Sequence, residues 1–154
     1  MDPFNPTTIM DIGAFMMKGS FSDYAALHIL TTATMARLRE LYLQGRFETR
    51  RFRPNIVVES SVDRPGFVEN AWVGRTLAIG EEVRLRIADP CPRCSIPTLA
   101  QGDLPGDPRI LRTVAEHNRV RVPVLDGESL PSVGVYAFVI RRGTIHHGDA
   151  VRLE

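Results

Sequence analysis

The sequence predicts a mainly β fold, a closed or nearly closed β-barrel carrying two or more helices, and three observations lead there. Short β-branched or alternating runs recur along most of the chain, Gly and Pro turns separate them, and only two segments carry a helical period. A doubly wound parallel sheet would need a regular alternation of strand and helix, which is missing. With 154 residues, 44% hydrophobic and 24% charged, the chain can bury one core without disulfide or metal staples.

Residues 1–22 mix Pro3, Pro6, Gly13 and Gly19 with apolar side chains and show no sustained period, so a partly mobile segment is expected ahead of one domain at 23–154. Met35, Leu38, Leu41 and Tyr42 share a helical face, with Thr31 or Thr32 to cap the start and Gly45 to close the end. Residues 55–59 are a β-branched run, and Val83, Leu85 and Ile87 alternate with charged residues in a strand expected over 83–88. A second helix is predicted at 108–118, with Asp107 as cap, proline at the first position, and a stripe of Ile110, Leu111, Val114 and Ala115. Alternation returns at 120–125, and 132–140 is the strongest strand. It leads through Arg142-Gly143 into a strand at 144–147, after which Gly148-Asp149 turns the chain into 150–153.

Composition excludes several classes of function. A net charge of +1 lacks the basic footprint of a nucleic-acid binder. The apolar stretch 133–140 is far shorter than the roughly 20 residues that span a bilayer, and Asp2 stands where a secretory leader has basic residues. A cytoplasmic protein without membrane attachment is therefore expected. Lys18 is the only lysine, so the positive charge is nearly all arginine, whose fork grips planar anions through two parallel hydrogen bonds.

Three segments could carry chemistry. In Asp89-Pro90-Cys91-Pro92-Arg93-Cys94 the prolines restrain the backbone, and Arg93 would favour a thiolate. Such a thiolate suits a soft metal, or carries sulfur as a persulfide. Two small buried residues are the plain alternative, and a zinc site could add only one of His146 and His147, which point to opposite faces of a strand. In Arg50-Arg51-Phe52-Arg53-Pro54-Asn55, an extended backbone would put Arg51 and Arg53 on one side. With Asn55 they could hold a phosphate and a heterocycle edge, or simply be solvated. Thr31-Thr32-Ala33-Thr34 offers hydroxyls and free N–H groups at a helix start, an anion seat or simple capping. His28, His146 and His147 read as structural, and no glycine-rich phosphate loop, nucleophile elbow or His-Glu-x-x-His helix is present.

The order Leu30-Thr31-Thr32-Ala33-Thr34, Arg51-Phe52-Arg53-Pro54-Asn55-Ile56-Val57-Val58, Trp72 with Gly80, Cys91-Pro92-Arg93-Cys94 with Thr98, Gly134 with Tyr136, and Gly143, Ile145, Gly148-Asp149-Ala150-Val151 resembles the MOSC domain. That family is named after the C-terminal domain of molybdenum cofactor sulfurase. The resemblance covers residues 23–154 and is strongest to the branch of the mitochondrial amidoxime-reducing component. It implies a barrel of MOSC type, a molybdopterin-type molybdenum cofactor, and reduction of N-hydroxylated compounds; an association with pyridoxal phosphate goes with it. The family's cysteine ligand to molybdenum carries over to Cys94, its Phe-Arg-Pro-Asn pair to Arg53 and Asn55, its hydroxyl at the helix start to Thr34, and a tyrosine near the metal to Tyr136. Arg51 and Arg93 stand beside these as further cofactor-binding candidates. Relatives of that branch carry an additional N-terminal β domain that adds basic residues. The site here is thus expected to be half open, completed by another subunit in a homodimer, or lost. An electron-donor or sulfur-donor protein is the implied partner, and a sulfur carrier using a Cys94 persulfide or a non-enzymatic cofactor-binding module are the rival functions.

Overall fold

A computed structural model describes residues 25–60 and 65–154 of the chain. The elements run β1 (Leu27–Thr31), α1 (Thr32–Leu41), β2 (Ile56–Val58), β3 (Thr76–Ile79), β4 (Val83–Pro92), α2 (Arg109–His117), β5 (Arg119–Val122), β6 (Glu128–Arg141) and β7 (Val151–Leu153), with short 3-10 turns between some of them. The strands form one sheet in the order β2-β1-β6-β4-β3-β7, with β5 hydrogen-bonded to β6. Among the described residues only the β1–β2 pair is parallel. The sheet curls into a nearly closed barrel, and the fold is mainly β as the sequence predicts.

Alternation makes the barrel interior. Val83, Leu85 and Ile87 of β4 turn inward with Leu77 and Ile79 of β3, Ile29 of β1 and Val135 and Ala137 of β6. A second cluster, Met35 and Leu38 of α1, Ile110 and Val114 of α2, and Phe47, Phe52, Leu30 and Val133, seats the helices. β6 bridges the layers, pairing with β1, β4 and β5 along its length.

Both helices form close to where their caps predict, the second starting one residue later, at Arg109, with Pro108 rather than Asp107 in the cap position. The Thr31 side chain accepts from Thr34 N at 3.1 Å, and Asp107 Oδ1 accepts from Arg109 N at 2.9 Å. Gly45 does not close the first helix, which ends on Tyr42; it is small because a Cβ there would lie 2.5 Å from Tyr42 Cδ1 and 2.8 Å from Phe47 Cε2. The strand expected at 83–88 continues to Pro92 and so takes in Cys91. It tolerates prolines because its register against β6 shifts between Ile87 and Asp89 and again between Pro90 and Pro92, where ladder N–H groups are dispensable. Residues 144–147 are not a strand but an exposed loop, in which Glu82 Oε2 accepts from Thr144 N and Asp149 Oδ2 from His146 N. The opposite-face argument about His146 and His147 lapses with that strand. β1 and β3 were not anticipated, and the segment 1–22 lies outside the described residues. No helix among the described residues is long and apolar enough to cross a membrane.

Candidate functional site

The barrel brings four separated segments to one place. Cys91 is buried near the end of β4. Arg93 reaches back to it, Nη1 donating to Sγ at 3.0 Å, while Nη2 donates to Phe52 O at 3.1 Å and the guanidinium lies 5.7 Å from the Phe52 ring centroid. The Cys-Pro-Arg-Cys segment is thereby tied to the turn that presents Arg53 and Asn55. Asn55 is tied in turn to β1: its Oδ1 accepts from His28 N at 2.7 Å, and its N donates to His28 O at 2.9 Å. His28 stands opposite Tyr136 in the β1–β6 register, their rings 6.2 Å apart, and Tyr136 stands opposite Asp89 of β4. His28 Nε2 lies 3.0 Å from Val133 O, which assigns the ring proton to that nitrogen.

Burial on its own pushes the Cys91 thiol up, but the Arg93 guanidinium, then His28 and Tyr136, outweigh it and hold the thiol down at about 6. The site therefore stores a thiolate in its floor. Because the folded value lies below the ordinary 9.0, this group's stabilisation is fully present above about pH 9 and is lost as pH falls through about 6. Urea midpoints of the wild type minus those of Cys91→Ser are expected to be larger at about pH 9 than at about pH 5. A difference that does not change with pH would show that Cys91 is a plain buried thiol.

Of the residues singled out in the sequence, Cys94, Arg53 and Asn55 are exposed above this floor. Arg53 also has φ 51°, a left-handed backbone rare for a side-chain-bearing residue and costing roughly 1 kcal/mol or more. Such strain gathers where a side chain must be aimed. Tyr136 and Arg93 belong to the floor. Arg93 donates to Cys91, since residues 91 and 93 of an extended chain face the same way and 94 faces the other. The two cysteines are thus one buried and one exposed. Among the described residues, no group of three or more His, Cys, Asp or Glu is placed to hold a metal, so the zinc alternative finds no ligand set there.

Two expectations are corrected. Arg51 is not beside Arg53 on an open face, because Thr49–Arg51 is a 3-10 turn rather than extended chain; it is fully buried, and its guanidinium donates to four backbone carbonyls. Thr34 is fully buried too, and its hydroxyl donates to Glu69 Oε2 at 2.6 Å, while Thr31 Oγ1 donates to the same oxygen at 2.8 Å. The anion seat at the start of α1 is filled by the protein's own Glu69 carboxylate, which complements the positive end of the helix. Sequence reasoning missed Glu69 and read His28 only as a structural imidazole. Each acts on a residue far along the chain, so no local spacing marks it.

The MOSC domain family matches the chain over residues 17–152. No curated protein matches it. A match of that extent, on a nearly closed β-barrel that joins the Phe-Arg-Pro-Asn and Cys-Pro-Arg-Cys segments at one site, places the chain in the MOSC domain family, as a domain related to molybdenum cofactor sulfurase.

Proposed function

We propose that the protein binds a molybdopterin-type molybdenum cofactor, with the Cys94 thiolate as its protein ligand, and acts as an oxidoreductase on N-hydroxylated or similar compounds. The observation that supports this reading is the Arg93 bridge, which ties the Cys-Pro-Arg-Cys segment to the turn bearing Arg53 and Asn55, with Cys94 next in the chain and exposed. The donor set fits such a group. A thiolate is a soft ligand matched to a metal already held by dithiolene sulfur. Arg53 offers a fork for phosphate, Asn55 offers an amide for a heterocycle edge, and Arg93 Nε is a buried donor with no partner. Thr34 and Arg51 take no part. When bound, the cofactor supplies two-electron redox chemistry at the metal. The chain's own work is to hold it with Cys94, Arg53 and Asn55. Cys91, Arg93, His28 and Tyr136 keep the floor below dry and charged. An electron-donor protein completes the cycle. Pyridoxal phosphate has no lysine to join among the described residues, because the only one is Lys18.

A second reading, a sulfur carrier using a Cys94 persulfide, is favoured by the exposure of that thiol and needs a sulfur donor instead. Protein made in a host that synthesises the cofactor decides between them by elemental analysis and pterin fluorescence. Wild type is expected to carry molybdenum and pterin, and Cys94→Ser to lose most of the metal, on the order of tenfold. Metal unchanged in Cys94→Ser would sink the ligand assignment; no metal, with cyanide-releasable sulfur on Cys94, would establish the carrier.

A further inference from the structure

Arg53 holds a backbone conformation that its own sequence disfavours. Its φ is 51°, and Pro54 follows it, which pushes the preceding residue toward extended backbone. The left-handed turn is therefore imposed by contacts from outside it, one on each side. Ahead of Arg53, Arg93 Nη2 donates to Phe52 O at 3.1 Å; that carbonyl and Arg53 N belong to one rigid peptide plane, so the bond fixes the plane from which the φ of Arg53 is turned. Behind it, Asn55 is clamped on His28, its N donating to His28 O at 2.9 Å and its Oδ1 accepting from His28 N at 2.7 Å.

Both holders converge on one atom. Arg93 Nη1 donates to Cys91 Sγ at 3.0 Å, and the side chains of His28 and Tyr136 stand within hydrogen-bonding reach of the same sulfur. Cys91 is 1% exposed, so these groups and not water surround it. Among the described residues Arg93 has no carboxylate partner, so the Cys91 sulfur supplies its counter-charge.

We propose that Cys91 is a positioning residue: its buried sulfur anchors Arg93 and His28 and, through them, sets the Arg53–Asn55 turn in the shape that receives the cofactor. What the turn receives rests on the cofactor reading; how the turn is set does not. The anchor works by charge. A hydrogen bond to an ionised acceptor is roughly twice as strong as one between neutral groups, and it fixes the plane of the guanidinium that also reaches Phe52 O. A neutral hydroxyl at position 91 leaves Arg93 without a counter-charge. The Arg93 side chain then turns toward water, Phe52 O loses its donor, and the turn relaxes toward the extended backbone that Pro54 favours.

Amide exchange in the full-length protein without cofactor tests the setting of the turn. The amides of His28 and Asn55, which close the clamp, are expected to exchange at least about tenfold faster in Cys91→Ser, while that of Leu85 toward the far end of β4 changes less than about threefold. Cys91→Asp returns an anion of similar size and is expected to restore both clamp amides to within about threefold of wild type. Arg93→Met is expected to loosen the clamp as Cys91→Ser does, and the double variant no more than either alone, because both break one chain of contacts. In protein from a host that makes the cofactor, Cys91→Ser is expected to keep about a tenth of the wild-type molybdenum and pterin, and Cys91→Asp most of it. Clamp amides unchanged in Cys91→Ser, a folded Cys91→Asp no better than Cys91→Ser, or effects of Cys91→Ser and Arg93→Met that multiply would each overturn the proposal. If Cys91→Asp does not fold, the comparison of the double variant with the singles decides. Full molybdenum and pterin in a Cys91→Ser with a loosened clamp would overturn the link to binding. A wild type without pterin would sink the cofactor reading instead, and the exchange rates would still decide whether Cys91 sets the turn.

Discussion

Gly134→Ala is expected to cost about 3–5 kcal/mol, enough to unfold much of the population of a domain of ordinary stability. Gly134 sits within β6 at φ 79°, where an L side chain is strained by about 1 kcal/mol or more. Space compounds the strain. A Cβ there would collide with His28 Nε2 and lie 2.5 Å from Ile29 O, so a buried ring and the backbone of the neighbouring strand would both have to move. Neither moves independently, because His28 is fixed by Asn55, by Val133 O and by its register against Tyr136. Urea denaturation beside Gly66→Ala, where nothing lies within 4 Å of an added Cβ, measures the difference. Equal midpoints for the two variants would show that the β1–β6 contact is loose.

Arg51→Met is expected to cost about 3–5 kcal/mol, while Arg53→Met costs under about 0.5 kcal/mol. Two arginines separated by one residue differ because one is a structural pin. Arg51 Nε donates to Arg46 O at 2.7 Å, Nη1 to Pro97 O at 3.0 Å and Leu99 O at 3.2 Å, and Nη2 to Pro105 O at 2.8 Å. No carboxylate among the described residues neutralises it; the dipoles of these carbonyls do, and without the guanidinium they lose their donor. Arg51→Lys restores the charge but not the planar fork, so it is expected to recover less than half of the loss. Urea midpoints and proteolysis in residues 97–105 check this. Wild-type stability in Arg51→Met would return Arg51 to the list of binding residues.

What could be read in the sequence was what is local. Caps at Thr31 and Asp107 announced both helices, and alternation at Val83, Leu85 and Ile87 announced β4. β1 hid because four consecutive residues, His28 to Thr31, are buried with no alternation to see, as in a central strand, and β3 hid because Ala78 is fully buried though paired with Arg84 and Arg152. At the site, Cys94, Arg53 and Asn55 stand in the open as expected, while Arg51 failed on one assumption. Parity along an extended chain puts it with Arg53, and a single 3-10 turn rotates it into the core. Glu69 could not have been found at all, since its partners Thr31 and Thr34 are 38 and 35 residues away.

β6 occupies residues 128–141, some 100 residues after β1, yet it pairs with β1, β4 and β5, and among the described residues no other element joins β1 to β4. During synthesis the first strand must therefore wait for some 100 residues of chain to emerge before it finds its central neighbour, a loop closure that makes folding slow and late. Until β6 leaves the ribosome, neither Tyr136 nor Val133 is available to lock His28, and both cysteines remain in the open nascent chain. Co-translational folding followed by arrest at successive lengths should thus show one abrupt gain of protease resistance after β6 emerges, rather than a stepwise gain with each strand.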